Sequence, residues 1–157
     1  MHGTYLATRG FAAVMTRADE VSLRQFTAVA IDGRALLIEG PPGCGKTSLA
    51  LALIDRGAML ISDDGVALSV KDGSLIASPP SATAGKIEIR NVGIATLPAT
   101  EAQVVLLLSV DPGAPRFVDQ AEQREILGLA IPVVAFSLGN PADPIRAEYA
   151  LSIHGLR

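Results

Sequence analysis

The segment IEGPPGCGKTSLALALIDRG, residues 38–57, runs from an apolar stretch through a glycine loop into a helix-forming run. It contains the pattern G-x-x-x-x-G-K-[ST], which Gly40, Gly45, Lys46 and Thr47 satisfy. Glycines at these positions allow the backbone to curl so that successive N–H groups point at a phosphate. The lysine of such a loop reaches the β- and γ-phosphates, and the hydroxyl that follows binds Mg²⁺. The segment therefore predicts a phosphate-binding loop.

The sequence on both sides of the loop supports this prediction. ALLIE, residues 35–39, is apolar and branched, as a buried strand would be. TSLALALIDR, residues 47–56, is rich in strong helix formers, and Gly57 follows where a helix C′ glycine belongs. The alternative, a chance glycine turn, does not require a strand before it and a helix after it. We expect the whole loop to contact nucleotide: Gly40, Pro41, Pro42, Gly43, Cys44, Gly45, Lys46 and Thr47.

Composition restricts the class of protein. The 157 residues suit a single domain, residues 1–157, and 49% hydrophobic with 4% aromatic residues indicates an aliphatic core. A net charge of −3 gives no excess of positive charge for binding nucleic acid. The single cysteine excludes disulfide bonds within the chain. MHGTYLATRG, residues 1–10, lacks a signal-peptide core, and VVLLLSV, residues 104–110, is too short to span a bilayer. We expect a cytoplasmic protein without membrane or nucleic-acid partners.

The remaining pattern contains more strands than helices. Asp32-Gly33 and the tripeptide 71–73 each separate two apolar runs, which predicts hairpins. A last helix is expected after residue 141, with Asp143 as N-cap and Pro144 at N1. Further strands are predicted at KIEIR (86–90), QVVLLLSV (103–110) and PVVAFSL (132–138). Because hairpins join several strands, we expect an α/β fold with a mixed sheet rather than an all-parallel one.

Two acidic sites compete for the role beside the phosphate loop. Asp63 and Asp64 end the short apolar run MLIS, whereas Asp111 ends the longer run VVLLLSV, as a Walker B residue would. A turn is the alternative for Asp111, which precedes Pro-Gly, and a solvated loop is the alternative for the pair. Of two adjacent carboxylates one can accept a proton while the other stays ionised. Spacing alone favours the pair but leaves both sites open.

Three ordered motifs resemble the catalytic domain of the HPr kinase/phosphorylase family. They are GPPGCGKTSLALALIDRGAMLISDD (40–64), EIRNVGI (88–94) and RFVDQAEQREILGLAIP (116–132), and the similarity covers roughly residues 25–132. The resemblance implies an α/β P-loop (Walker A) kinase domain with a mixed sheet, like HPr kinase and PEP carboxykinase. It also implies a serine/threonine-protein kinase, a transferase that uses ATP and Mg²⁺ and phosphorylates the phosphocarrier HPr of the bacterial phosphotransferase system.

The same resemblance assigns roles to the residues in these motifs. Asp64 would accept the proton of the substrate serine, Asp63 would support the site electrostatically, and Lys46 would hold the phosphates. Thr47 and Glu88 would ligate Mg²⁺.

The third motif adds a positive charge. Arg116 matches the family's catalytic arginine, which would stabilise charge on the transferring phosphoryl group. Without the resemblance, Arg116 would be read as a loop charge and Glu88 as an outward polar residue on a strand.

The chain departs from the family pattern in four places. Gln25 stands where the family has a catalytic histidine, and Asn91 replaces a signature glycine, although Asn tolerates the left-handed region. We expect a single catalytic domain without the N-terminal regulatory domain of longer members, and no RPGRN segment follows Pro132. We therefore expect kinase activity without the phosphorylase reaction.

Similar enzymes are hexamers, so the resemblance implies a homo-oligomer with an HPr-like protein as substrate. Two other functions stay open on sequence alone. One is a non-catalytic nucleotide-binding regulator, which Gln25 would suit. The other is a small-molecule P-loop kinase, which would need a substrate pocket with lid residues that no long insertion supplies.

Overall fold

A computed structural model describes residues 21–157; the stretch 1–10, considered above for a signal peptide, lies outside them. The described chain forms eleven strands and two α-helices. The strands are β1 (Val21–Arg24), β2 (Thr27–Ile31), β3 (Arg34–Glu39), β4 (Met59–Ser62), β5 (Val66–Lys71), β6 (Ser74–Ser78), β7 (Lys86–Ile89), β8 (Gly93–Thr96), β9 (Ala102–Val110), β10 (Glu122–Ile126) and β11 (Leu129–Phe136). The helices are α1 (Lys46–Asp55) and α2 (Asp143–His154), with a 3₁₀ turn at Ser81–Thr83.

Nine strands form one sheet, which is mixed, as predicted. Its order is β1-β5-β6-β9-β3-β2-β4, and β11 pairs with both β9 and β10. The central strand β9 runs parallel to β3 and to β11 and antiparallel to β6. Strands β7 and β8 form a separate antiparallel hairpin. The alternating segment KIEIR is therefore a strand, but it lies outside the main sheet.

Both predicted hairpins of the main sheet are present. Asp32-Gly33 joins β2 to β3, and Asp72-Gly73 joins β5 to β6. All four turn residues have positive φ, between 51° and 77°. This is the conformation of a two-residue type I′ turn, which matches the twist of the strands it connects.

The sheet buries an apolar core on each face. On one face Leu49 and Leu53 of α1 and Leu151 of α2 pack against β3 and β9. On the other face the sheet curls, so that Leu68 and Leu75 of β5 and β6 pack with Ile131 of β11. The alternation of side chains along each strand supplies both cores. Within residues 21–157, no helix is long and apolar enough to cross a membrane.

The start of α2 differs from the prediction. The N-cap is Ala142, and Asp143 is the first helical residue, so Pro144 follows one position later than expected. The Asp143 carboxylate does not cap the helix. It accepts hydrogen bonds from the amides of Gly139 and Asn140 at 2.8 and 3.1 Å and from Arg146 at 2.7 Å. It thus holds the loop before the helix.

Candidate functional site

The phosphate loop and the acidic pair open at the same edge of the sheet. Strand β2 is antiparallel to both β3 and β4, so these two strands run in the same direction. The loop follows β3, and Asp63 and Asp64 follow β4. Sequence-distant residues therefore meet at one set of carboxyl ends, where ligands bind in open α/β sheets.

The loop has the backbone that its glycines predict. Gly43 and Gly45 have φ values of 79° and 109°, a region that other residues rarely adopt. Gly40 is needed for a different reason: a Cβ there would lie 2.7 Å from the Cys44 sulphur. Lys46 Nζ donates to the carbonyls of Gly40 and Pro41 at 2.6 and 3.2 Å. The ammonium group is therefore held across the mouth of the loop, beside the N-terminus of α1.

A hydrogen-bond chain connects the loop to the acidic pair. Thr47 Oγ1 donates to Asp63 Oδ1 at 2.9 Å, and the backbone N–H of Glu88 donates to Asp63 Oδ2 at 3.4 Å. Asp63 thus joins α1, β4 and the β7–β8 hairpin. In P-loop proteins the hydroxyl of the loop and a nearby aspartate hold Mg²⁺ together. The structure pairs Asp63 with Thr47, whereas Asp111 lies elsewhere.

Asp64 lies in a strained turn that is fixed at both ends. Asp64 and Gly65 have φ values of 50° and 143°. The Gly65 N–H donates to the Phe26 carbonyl at 3.0 Å, and the Ser62 hydroxyl donates to the Gly65 carbonyl. Anchoring on both sides keeps the Asp64 backbone in the left-handed region, and its side chain lines the cavity in front of the loop.

This cavity has a volume of about 540 Å³. It brings together most of the residues predicted from sequence: Pro42, Gly43, Gly45, Lys46, Thr47, Asp63, Asp64 and Glu88. Sequence reasoning missed Arg90, a second cation on its wall, although Arg90 stands inside the EIRNVGI motif. It also missed Thr27 at the start of β2, for which the sequence carries no signal.

Gly40, Pro41 and Cys44 of the loop do not line this cavity, and three residues outside the loop lie apart from it. Asp111 forms a turn in which its side chain accepts the Gly113 N–H at 2.8 Å, so the turn interpretation applies. Arg116 is exposed in the loop after β9 and does not line the cavity. Gln25 is exposed in the connection between β1 and β2 and does not line it either.

A second cavity of about 540 Å³ lies on the other side of the loop, between α1 and the segment before α2. Cys44, Leu49 and Leu138 contribute to its lining, and Cys44 does not line the first cavity. Burial raises the pKa of Asp143, which is 8% exposed, but the amides of Gly139 and Asn140 and the Arg146 guanidinium outweigh burial and lower it below its ordinary value. The ionised Asp143 side chain therefore holds Gly139 and Asn140, which line this second cavity, in place.

The donor atoms of the first cavity fit Mg²⁺. Thr47, Asp63 and Glu88 supply hydroxyl and carboxylate oxygens, the hard ligands that Mg²⁺ prefers. Among residues 21–157, no group of three or more His, Cys, Asp and Glu residues is arranged to hold a metal alone. Magnesium is commonly bound by one or two carboxylates together with substrate phosphates, and this donor set suits that mode.

The fold and the loop define the class: a mixed α/β domain with a P-loop between β3 and α1. Residues 18–100 match the family model described as the HPr serine kinase C-terminal domain. The chain belongs to this family, whose members are kinases. The predicted HPr kinase-like fold is therefore confirmed.

Known relatives agree with this assignment. The chain is 47% identical to an HPr kinase/phosphorylase of Clostridium botulinum (strain Eklund 17B / Type B) over 66 residues, covering 42% of this chain and 22% of the relative. It is 37% identical to that of Clostridium tetani over 98 residues, covering 60% and 32%. The chain thus spans about a fifth to a third of the length of these relatives.

A solved structure of the HPr(Ser) kinase/phosphatase from Coxiella burnetii is similar over most of the chain. The TM-score is 0.75 at 29% identity, and the match covers 83% of this chain and 88% of the other.

Proposed function

We propose that this protein is an ATP- and Mg²⁺-dependent protein serine kinase that phosphorylates an HPr-like phosphocarrier protein. The observation that supports this most is the chain from Thr47 through Asp63 to Glu88, with Asp64 lining the same cavity. A loop for phosphates, oxygen ligands for a metal and a free carboxylate are the parts that phosphoryl transfer to a hydroxyl requires.

In the proposed reaction, the oxygen of the acceptor serine bonds to the γ-phosphorus of ATP. The bond between that phosphorus and the β–γ bridging oxygen breaks, ADP leaves, and the serine proton passes to the Asp64 carboxylate. Lys46 and the loop amides neutralise the phosphates, and bound Mg²⁺ would neutralise the charge that develops on the β- and γ-oxygens. Thr47, Glu88 and, through its hydrogen bonds, Asp63 would hold the metal.

The two cavities on either side of the loop suit the two ends of a nucleotide. The polar cavity, with Lys46 and Asp63, suits the triphosphate, and the apolar one, with Leu49 and Leu138, suits the base. Arg90, on the wall of the polar cavity, is better placed than Arg116 to meet a phosphoryl group.

The test is phosphorylation of a purified HPr by the purified protein with Mg-ATP, followed by mass spectrometry of the modified serine. We expect one phosphate per HPr, none on an HPr whose acceptor serine is replaced by alanine, and none with Lys46→Ala. Lys46 Nζ bonds to loop carbonyls, so its removal should leave the protein folded. A folded Lys46→Ala protein with full activity would reject the phosphate-loop assignment, because in that assignment the lysine holds the phosphates.

Single-turnover ATP consumption distinguishes this function from its alternatives. A protein kinase consumes ATP only when HPr is present, and a non-catalytic regulator binds ATP without consuming it. A small-molecule kinase would ignore HPr and respond to a metabolite extract.

Phosphorylase activity is not part of this proposal, because Gln25 replaces the family histidine and the RPGRN segment is missing. Incubation of phospho-HPr with inorganic phosphate should release no pyrophosphate. Efficient pyrophosphate release would contradict this part of the function.

A homo-oligomer, a hexamer by resemblance, is also proposed. The exposed residues Ile145, Tyr149 and Ile153 recur every four positions on α2 and offer an apolar surface for a second copy. Light scattering of the purified protein would give its mass in solution.

A further inference from the structure

The hydroxyl of Thr27 is buried without a hydrogen-bond partner in the described part of the chain and has no role in the chemistry proposed above. Thr27 is 1% exposed. Among residues 21–157, its hydroxyl oxygen is the one buried side-chain polar atom without a hydrogen-bond partner. Most buried polar groups in proteins are paired, because an unpaired one loses its bonds to water without replacement. A buried, unpaired hydroxyl therefore needs an explanation.

The position of Thr27 places that hydroxyl beneath the first turn of α1. Side chains alternate along β2, and Val29, two residues further on, packs in the core that contains Leu49 and Leu53 of α1. Thr27 points to the same face and lines the polar cavity together with Thr47 and Asp63. It forms part of the cavity floor.

The pairing of β2 with β4 brings Thr27 close to the acidic pair. Ala28 is the register partner of Ser62, so the next position on each strand places Thr27 beside Asp63. The Asp63 oxygens already accept hydrogen bonds from Thr47 and from the Glu88 amide. Thr27 is therefore a neighbour of the carboxylate that would help to hold a metal, and no hydrogen bond joins the two side chains.

We propose that Thr27 is a positioning residue of the metal–phosphate site, whose buried hydroxyl donates a hydrogen bond to the neighbouring Asp63 carboxylate when Mg²⁺ binds. This proposal rests on the function proposed above. The Thr47 hydroxyl, which donates to Asp63 in the ligand-free protein, would then turn to the metal, and the carboxylate oxygen that it leaves needs another donor. Groups that orient metal ligands in this way typically change metal affinity by about 10–100-fold when removed.

Another explanation is that Thr27 is present only because threonine suits a β-strand. Thr27→Val, which has nearly the same shape but no hydroxyl, separates the two explanations through metal binding. Both predict an unchanged or higher melting temperature, since valine also suits a strand and its introduction removes an uncompensated polar group. Only a positioning role predicts a weaker effect of Mg²⁺ on ATP affinity.

The experiment compares wild type with Thr27→Val, Thr27→Ser and the control Thr100→Val, a threonine that does not line the cavity. Melting temperature is measured without ligand, and ATP affinity is measured by calorimetry with Mg²⁺ and with EDTA. For Thr27→Val we expect an unchanged or higher melting temperature and unchanged affinity in EDTA. The gain in affinity that Mg²⁺ provides should fall by about tenfold. Thr27→Ser should keep most of that gain, and Thr100→Val all of it.

Each other result overturns the proposal in a recognisable way. An unchanged Mg²⁺ gain in Thr27→Val, at whatever melting temperature, would show that the hydroxyl has no part in metal binding, and the kinase proposal would stand. Equal losses with and without Mg²⁺ would show a direct phosphate contact. If Thr27→Val is too unstable to measure, Thr27→Ala replaces it, and an unchanged Mg²⁺ gain in that variant rejects the proposal. A wild type that does not bind Mg-ATP would reject the proposed function as well.

Discussion

At the scale of single residues, the acidic candidates differ in their surroundings. Asp64 lines the polar cavity from a turn anchored at Phe26 and Ser62, whereas the Asp111 side chain is occupied by the Gly113 amide. A carboxylate that accepts a proton must reach the substrate, and one that stabilises a turn need not. Their amide variants should therefore behave differently.

We expect Asp64→Asn to keep ATP binding but to lose phosphoryl transfer by about 10²–10⁴-fold, because an amide cannot accept the serine proton. Asp111→Asn is the matched control and should retain activity, since an Asn side-chain oxygen can still accept the Gly113 N–H. Transfer rates to HPr and ATP affinity are measured for both variants. If Asp111→Asn proves the more sensitive, the base is assigned to the wrong strand.

The rate at which a thiol reagent modifies Cys44 can show whether the nucleotide base occupies the apolar cavity. Its side chain lines the apolar cavity, although its backbone belongs to the loop. We expect iodoacetamide to modify Cys44 in the free protein and Mg-ATP to slow the modification, because the base would cover the thiol. Magnesium tripolyphosphate, which has no base, should protect less. Intact mass over time gives the rates, and equal rates in all three conditions would place the nucleotide elsewhere.

The backbone conformation of the loop could be predicted from sequence because it is determined locally by glycine and by the helix that follows. Arg116 was different. The third motif predicted a catalytic role for it from similarity, but its position depends on how the loop after β9 lies, and there it is exposed. Thr27 could not be found from sequence, because only tertiary packing reveals that its hydroxyl has no partner.

At the scale of secondary-structure elements, the β7–β8 hairpin carries one wall of the site. Its residues Glu88, Arg90 and Asn91 all line the polar cavity. Asn91, which replaces the family's signature glycine, has a φ of 67°. The left-handed conformation expected of that position is therefore present, and Asn is one of the few side chains that adopt it readily.

Asn91→Ala should lower the free energy of unfolding by about 1 kcal/mol, because alanine is disfavoured in the left-handed region. Asn91→Gly should have little effect, since glycine adopts this conformation freely. Val92→Ala is the control, being a neighbouring exposed residue whose φ is not positive. Urea unfolding gives the stabilities; a loss in Asn91→Gly as large as in Asn91→Ala would instead indicate a side-chain contact of Asn91.

Hairpins differed in how well they could be predicted. Asp32-Gly33 and Asp72-Gly73 have the residues that type I′ turns favour, and both were found. The turn between β10 and β11 is Leu127-Gly128, with φ values of 50° and 84°, and leucine there is uncommon. The strand before it, EQREI, is mostly exposed and shows no alternation, so β10 was not predicted.

At the scale of the whole molecule, the mixed character of the sheet followed from the sequence, but the strand order did not. Short turns predict that neighbours such as β2 and β3 pair. No local pattern indicates that β9 lies between β3 and β11, or that β4 pairs with β2. These pairings join segments far apart in sequence, and the pairing of β4 with β2 brings Asp63 to the loop.

Two ionic contacts, one between distant segments and one local to the start of α2, make the folded state sensitive to acid. A bidentate pair at 2.8 Å joins Arg124 of β10 to Glu39 at the end of β3 and lowers the pKa of Glu39 below its ordinary value of 4.5. The pKa of Asp143 likewise lies below its ordinary value of 3.8, since the Gly139 and Asn140 amides and Arg146 outweigh the effect of burial. A carboxyl whose pKa is lower in the folded state stabilises the protein above its unfolded pKa.

The stability that these two carboxylates contribute should therefore be complete above about pH 5 and should decline as pH falls toward about 3. Replacing either one removes its share: Asp143→Asn should cost about 1–3 kcal/mol at neutral pH, because an amide cannot accept from both loop amides and Arg146. The Glu39→Gln cost should be smaller, about 1 kcal/mol or less, because the pair is partly exposed.

Urea unfolding across this pH range should show a shallower loss of stability with acid in both variants than in wild type. Glu122→Gln, on an exposed position of β10, serves as the control and should keep the wild-type slope. Equal slopes in all four proteins would mean that other carboxylates cause the acid sensitivity.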